Sequence, residues 1–369
     1  MRRRSAIAVL LPALVAAPAL AAPQLRLTPG VSVGAGLDDD VLFDNKGGDG
    51  VGETTAQLDW VAFDRLWRVS ANLRATGLGF YVRQKGVLLG EAKLGASDRL
   101  GRRIRLYANG RLRAADDPLA LAQVGLLAGR GRTLGFRSRA GVESLLSRRW
   151  TLDTRVELEG VEFIDQSTEP GGEAAGLALT PSYQLTRAVA LVPAAEGRLF
   201  FTSAGLLART LDVLAGVRWR LARRTFVEAS AGPLAYGDAQ GMLWLGVARL
   251  RFWKAWRFSG LELDAAHDLT VPSGRGGVLA GELVEAVGRY GDRDWELRAR
   301  VGYYRSHPSP RDTTWVPGYG LEGGAFRRLF AGVWLGVTAL RFERLPVAGE
   351  AALARDAAYV NLDWTGGRP

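Results

Sequence analysis

Strict two-residue alternation of polar and apolar side chains is the feature that most limits how this chain can fold. In RIRLYANGRLRA, residues 103–114, Arg103, Arg105, Tyr107, Asn109, Arg111 and Arg113 share one parity. Ile104, Leu106, Ala108, Gly110, Leu112 and Ala114 share the other. Successive side chains of a strand point to opposite faces, so period two predicts a strand rather than an amphipathic helix. The run is longer than the usual soluble strand of about five or six residues. A face of arginines backed by a wholly apolar face must meet two different surroundings.

The pattern recurs along the chain. In 66–78, Arg68, Ser70, Asn72, Arg74 and Thr76 oppose Val69, Ala71, Leu73 and Ala75. Arg137 and Arg139 alternate in the same way within 135–150. In 151–160, Thr151, Asp153, Arg155, Glu157 and Glu159 oppose Leu152, Thr154, Val156, Leu158 and Gly160. In 295–304, Glu296, Arg298 and Arg300 oppose Trp295, Leu297, Ala299, Val301 and Tyr303. Segments 241–253 and 330–342 are apolar or glycine on both faces. They pack against something inside or against a neighbouring subunit; the sequence leaves both open.

Short basic-aromatic punctuations separate these segments at 63–67, 97–103, 146–150, 185–189, 221–226, 252–256, 290–295 and 326–330. Longer connectors rich in Gly, Asp and Pro lie at 38–52, 115–133, 163–173, 237–240, 269–277, 306–314 and 343–356, and read as loops. The apolar stretch 119–129, LALAQVGLLAG, is assigned to one of those loops. Short turns at one end and longer loops at the other are the asymmetry of an outer-membrane barrel. Eight short turns separate nine hairpins. The expectation is an all-β, transmembrane antiparallel up-and-down β-barrel of about 18 strands, within a range of 16–18.

A barrel also explains the two faces. In lipid every backbone polar group must be paired internally, which a closed sheet achieves. The apolar face then meets hydrocarbon and the arginine face a wet lumen. An arginine facing the lipid midplane costs about 2–4 kcal/mol, so parity is forced. The expected pore-lining arginines are Arg68, Arg74, Arg103, Arg105, Arg111, Arg113, Arg137, Arg139, Arg155, Arg298 and Arg300. Asp153, Glu157, Glu159 and Glu296 are their expected ion-pair partners. Trp60, Trp67, Trp150, Trp219, Trp253, Trp256, Trp295 and Phe330 lie beside the short turns, as an interfacial girdle would.

The chain opens differently. Met1-Arg2-Arg3-Arg4 is basic, 6–20 is apolar but broken by Pro12 and Pro18, and Ala19-Leu20-Ala21 offers small residues for cleavage. This reads as a secretory signal over 1–21, leaving one barrel domain over 22–369. The run is shorter than the roughly 20 residues of a membrane-spanning helix. An exported chain without cysteine holds no disulfide scaffold and no thiolate metal site. The net charge is +10, or +7 over 22–369. No nucleic-acid motif accompanies it. Mean hydropathy is near zero, as suits a barrel whose apolar signal is spread by alternation.

LTPGVSVGAGLDDDVLFDN, residues 27–45, resembles the opening of an outer-membrane β-barrel porin family. There a glycine-rich first strand runs into an Asp-Asp-Asn-Val-like corner. Asp38-Asp39-Asp40-Val41 has Asp where that pattern has Asn. GFRSRAGVESLLSRRW, 135–150, is similar in hairpin style. The resemblance implies a pore of the kind that sits beside polysaccharide-export systems, with a periplasmic export protein as partner. The final alternating segment, 357–364, ends in Trp364, as barrel-assembly machinery requires, although five residues follow it.

Other constellations are less specific. Asp38, Asp39, Asp40, Asp44 and Asp49 lack the spacing of a calcium loop. His267 with Asp264, Asp268 and Ser259 suggests a hydrolytic group without a marked nucleophile. GGDGVG lacks the Lys and helix of a phosphate loop. No cofactor or metal is expected, and no enzymatic activity. The expected function is an outer-membrane channel, embedded in lipid, that passes anionic solutes or exported polysaccharide. The alternative is a plugged, non-transporting surface scaffold or adhesin, in which 115–133 folds inward.

Overall fold

The computed structural model describes residues 24–39, 48–82, 84–115, 133–163, 171–202, 205–270, 278–307, 310–311, 315–345 and 353–366. The leader at 1–21 and the stretch 119–129 lie outside these residues, as do Asp40 and Asp44.

The described residues form strands joined by turns and loops. The strands are β1 (Gln24–Asp38), β2 (Asp49–Phe63), β3 (Trp67–Phe80), β4 (Lys85–Leu100), β5 (Ile104–Ala115), β6 (Thr133–Leu145) and β7 (Trp150–Phe163). There follow β8 (Gly172–Gln184), β9 (Val189–Leu191), β10 (Ala194–Thr202), β11 (Gly205–Ala222), β12 (Thr225–Asp238) and β13 (Gly241–Ala255). The last are β14 (Ser259–Thr270), β15 (Leu279–Gly291), β16 (Trp295–His307), β17 (Val316–Phe330), β18 (Val333–Arg344) and β19 (Leu353–Thr365). All pairings are antiparallel, each strand lies beside its chain neighbours, and β19 pairs with β1 from Ala357↔Asp38 to Thr365↔Gly30. The sheet therefore closes.

Short β9 and β10 act as one stave. Both pair with β8 and with β11. Val192-Pro193 separates them, because a proline has no N–H for the ladder. The Val192 N–H still donates to the Gly216 carbonyl at 2.7 Å. A Cβ on Gly216 would lie 2.2 Å from the Val192 carbonyl oxygen, so glycine is required there. With that stave counted once, the barrel has eighteen strands, as the alternation predicts.

Two of the eight short turns differ from their sequence assignment. They fall at 64–66, 101–103, 146–149, 185–188, 223–224, 256–258, 292–294 and 331–332. Residues 252–255 and 326–330 continue as strand, because their aromatic and basic side chains alternate and find ladder partners. The loop-end connections at 81–84 and 239–240 are short. Asp292 shows how a turn is fixed: its carboxylate accepts the N–H groups of Asp294 at 2.8 Å and Trp295 at 2.7 Å. Those donors, with the Tyr290 hydroxyl, hold its pKa below the usual aspartate value.

Exposure divides cleanly by parity. In β11, Leu211, Val213, Val217, Trp219 and Leu221 are exposed, while Ala208, Thr210, Asp212, Leu214 and Gly216 are buried. The outer apolar band has a measurable height. In β16 the exposed aromatics Trp295 and Tyr303 stand eight residues apart. At ~2.5 Å per residue along a tilted strand this is about 20 Å, close to the ~25 Å apolar band of such barrels. Trp67, Trp150, Trp219, Trp295 and Trp364 face outward at the short-turn end. Trp253 does not: it pairs with Phe226 and stacks on it inside, at 5.4 Å between centroids. Its neighbour Phe252 takes the outward face instead.

The lumen wall is not evenly curved. Phe200, Leu214, Leu234, Tyr236 and Val247 form a buried apolar cluster on the inner face of β10–β13, with Leu243 and Leu245 packed against it. This resolves the two-sided apolar segment 241–253, which packs inward. The Arg198 guanidinium on β10 donates to the Leu269 carbonyl on β14 at 3.0 Å. Four strand steps at about 4.8 Å are roughly 19 Å of arc, so the wall bends sharply here. A second cluster, Val51, Leu78, Phe80, Ala357 and Tyr359, fills the inner face near the β1–β19 seam.

Parity predicts a large difference between neighbouring positions. Val337→Arg places a charge on the membrane face and should cost about 2–4 kcal/mol. Thr338→Arg, one residue on and turned to the lumen, should cost far less. Urea titration of the barrel in vesicles, followed by tryptophan fluorescence, separates the two.

Candidate functional site

Strands β3–β6 carry the arginines. Ladder register puts Arg68 and Arg74 of β3, Lys93 and Arg99 of β4, Arg105, Arg111 and Arg113 of β5, and Arg137 and Arg139 of β6 on the inner face. Two acids, Glu91 and Glu143, share that face. The cations climb the wall in steps: Arg99 lies opposite Arg105, Lys93 opposite Arg111, and Arg111 opposite Arg137. The result is one basic stripe running from the short turns toward the loops.

The wall beside the stripe is acidic. Asp153, Glu157 and Glu159 of β7 surround the single base Arg155. Farther round the barrel, on β14, Glu262, Asp264 and Asp268 face inward with no Lys or Arg on that strand. The basic excess is greatest on β3–β6, which the sequence parity alone did not say; β10–β13 also turn Arg198, Arg218, Arg220, Arg249 and Arg251 inward, against Glu196, Asp212 and Glu228.

Ion pairs brace much of the stripe. Arg139 meets Glu157 at 2.7 Å and Arg137 meets Glu159 at 3.6 Å. Arg155 bridges Glu157 at 2.7 Å and Asp153 at 3.4 Å. Arg105 lies 3.7 Å from Glu143, and Arg111 contacts Glu91. Farther round, Arg298 meets Glu296 at 2.8 Å and Arg300 meets Glu285 at 2.5 Å. All four carboxylates expected as partners are thus engaged. Arg68, Arg74 and Arg99 have no ion pair among the described residues.

Arg103 departs from expectation. Its parity matches Arg105, but it sits in the turn 101–103 and the strand begins at Ile104. The Arg103 carbonyl accepts the Leu145 N–H at 2.7 Å, one step past the Ile104↔Ser144 pair, so Arg103 sits at the rim of the wall rather than within it. Sequence reasoning also passed over Lys93 and Arg99, whose signal was the alternation of Glu91, Lys93, Gly95, Ser97 and Arg99. It passed over a second network as well. There Arg249 reaches Asp268 at 2.5 Å and both Glu196 and Asp212 at 3.5 Å. Those contacts depend on the bend in the wall.

The short-turn half of the lumen holds a cavity of about 580 Å³. Arg68, Arg105, Arg139, Arg155 and Arg218 line it, with Tyr107, Asn109, Thr151, Thr180 and Ser182 between them. The Tyr107 hydroxyl donates to Asp153 at 2.7 Å. Guanidinium forks beside hydroxyl groups can bind and hand on carboxylates, phosphates or sulfates.

The hydrolytic reading of His267 fails on geometry. His267 faces outward, opposite Ala248 and Glu282, with its Nδ1 3.3 Å from Glu282. Asp264 and Asp268 face the lumen. The sheet separates them. Of the acidic group at 38–49, Asp38 and Asp49 lie opposite each other on the inner face: Asp38 is buried against Arg355, and the Asp49 carboxylate accepts the Val82 N–H at 2.8 Å.

No family model matches the sequence, and no curated protein matches it. Solved structures do. The chain is similar to OccAB3 of Acinetobacter baumannii, at 8% identity over 93% of this chain and 99% of that one, with a TM-score of 0.47. It is similar to OccK2 (OpdF) of Pseudomonas aeruginosa, solved in complex with glucuronate, at 11% identity over 93% and 98%, TM-score 0.46. A BenF-like porin from Pseudomonas fluorescens gives 8% identity over 93% and 98%, TM-score 0.49. The placement of this barrel rests on its own surface. A sealed antiparallel cylinder with an exposed apolar band between aromatic girdles belongs in the bacterial outer membrane.

Proposed function

We propose that the barrel is an outer-membrane channel for anionic solutes, drawn along the β3–β6 stripe. The observation that carries this reading is the inner face of those four strands, where, among the described side chains, nine basic ones accompany two acidic ones. Rings or rows of guanidinium groups select anions in a pore. An eighteen-stranded barrel encloses a lumen wide enough for an aqueous path. Arg68, Arg74 and Arg99 have no ion pair among the described residues, so an anion entering beside them need not displace a carboxylate.

A narrower reading makes the passenger an anionic polysaccharide leaving the cell with help from a periplasmic export protein. It rests on the resemblance of 27–45 and 135–150 and on the length of the stripe, which offers successive cations to a chain-like anion. Planar-bilayer recording tests the broader reading. The expected result is conductance with preference for chloride over potassium; absence of conductance, or preference for potassium, would overturn it. A deletion strain with unchanged surface polysaccharide would remove the narrower form alone.

A further inference from the structure

The basic excess of the chain collects at one end. The eight short turns contain ten arginines: Arg65, Arg102, Arg103, Arg148, Arg149, Arg187, Arg223, Arg224, Arg257 and Arg293. They contain three acids, Asp64, Asp292 and Asp294. The turn that lacks an arginine, 331–332, follows Arg327-Arg328. All ten turn arginines are exposed, and none has an ion pair among the described residues. Lumen selectivity does not explain them, because they ring the whole rim rather than one wall.

Their setting points to lipid. Short turns of such barrels face the periplasm, and the outward tryptophans mark the level of the membrane boundary. Three cations lie over aromatic rings at this rim. The Lys254 ammonium stands 4.6 Å from the Trp256 ring centre, the Arg257 guanidinium 4.8 Å from Phe258, and Arg327 5.6 Å from Trp295. Trp295 and Arg327 share the membrane-facing side of the sheet. These charges therefore sit against the headgroup layer, not beneath the pore mouth.

We propose that the short-turn rim is a docking collar for anionic phospholipid headgroups of the periplasmic leaflet. Guanidinium forks bind phosphate by paired N–H groups, and the stacked cations are preorganised at phosphate depth. Basic residues at a membrane surface each favour anionic lipid, an effect that ends within a Debye length. The collar goes beyond conduction and does not depend on it. An acidic periplasmic protein is the competing occupant, and the aromatic-stacked cations argue against it.

The test uses the full-length mature barrel in phosphatidylcholine vesicles with trace spin-labelled lipid. Labelled phosphatidylglycerol should associate with the barrel on the order of threefold more than labelled phosphatidylcholine. Combining Arg148→Gln, Arg149→Gln, Arg223→Gln and Arg224→Gln should remove most of that preference. Raising ionic strength to about 0.5 M should do the same for the unaltered barrel, which decides the matter should the variant fail to assemble. Equal association of the two lipids overturns the collar. So does a preference indifferent to salt, or one that an assembled variant retains. Loss of conductance in a bilayer would leave these readouts untouched.

Discussion

Asp38→Ala should destabilise the barrel by about 3–5 kcal/mol, the usual result of stranding one partner of a buried ion pair. Asp38 ends β1 and Arg355 lies near the start of β19, so this pair ties the first strand to the last. The Arg355 Nε atom lies 3.0 Å from both Asp38 oxygens, and Nη2 lies 2.5 Å from Oδ2. The Tyr359 hydroxyl adds a bond to the same carboxylate at 2.9 Å. Arg355 is 2% exposed, so water cannot replace the lost charge. Backbone pairing, the outer Asp39–Asp356 contacts and the apolar cluster around Tyr359 also hold the loop end of the seam. Urea titration and the heat-modifiable gel shift report the loss. Asp363→Ala, on β19, is the control, with no ion pair to break among the described residues and an expected change within about 0.5 kcal/mol. A difference below about 1 kcal/mol between the two would show that closure does not rest on this pair.

That staple also shows where sequence reading stops. The alternation of Arg105, Tyr107, Asn109 and Arg111 was readable because a barrel wall separates oil from water at every second residue. The same logic placed Arg68, Arg74, Arg137, Arg139, Arg155, Arg298 and Arg300 on the inner face. It gave Arg103 a lumen position because parity continues through a turn while the strand does not. It gave Trp253 to the girdle because residue type marks depth along a strand and not side. Asp38 was read as one of an exposed acidic group; its partner is 317 positions away, and only closure brings them together. Arg198, Arg249 and Asp268 meet for a similar reason. Their contacts follow the local curvature of the wall, which adds over several strands and leaves no periodic trace.

The stripe itself gives the other large expected effect. Replacing Arg68, Arg74 and Arg99 together by glutamine should lower chloride-over-potassium selectivity on the order of tenfold, the lower end of effects from focused fields in low-dielectric clefts. These three are chosen because they have no ion pair among the described residues, so their loss strands no carboxylate. Neutralising Arg139 instead would take from Glu157 one of the cations that hold it, at 2.7 Å, and would confuse lost attraction with new repulsion. Arg305→Gln supplies the control. Arg305 lies on the outer face, 2.8 Å from Glu282 and over the Trp315 ring at 3.8 Å, so selectivity should not respond. Reversal potentials in an asymmetric KCl gradient measure both, and low ionic strength keeps the Debye length long enough for the stripe to act. If the triple variant keeps its selectivity, anions are chosen elsewhere, and the paired arginines of β5–β7 serve as bracing alone. If selectivity falls and conductance persists, the β3–β4 edge of the stripe is the path that selects the anion.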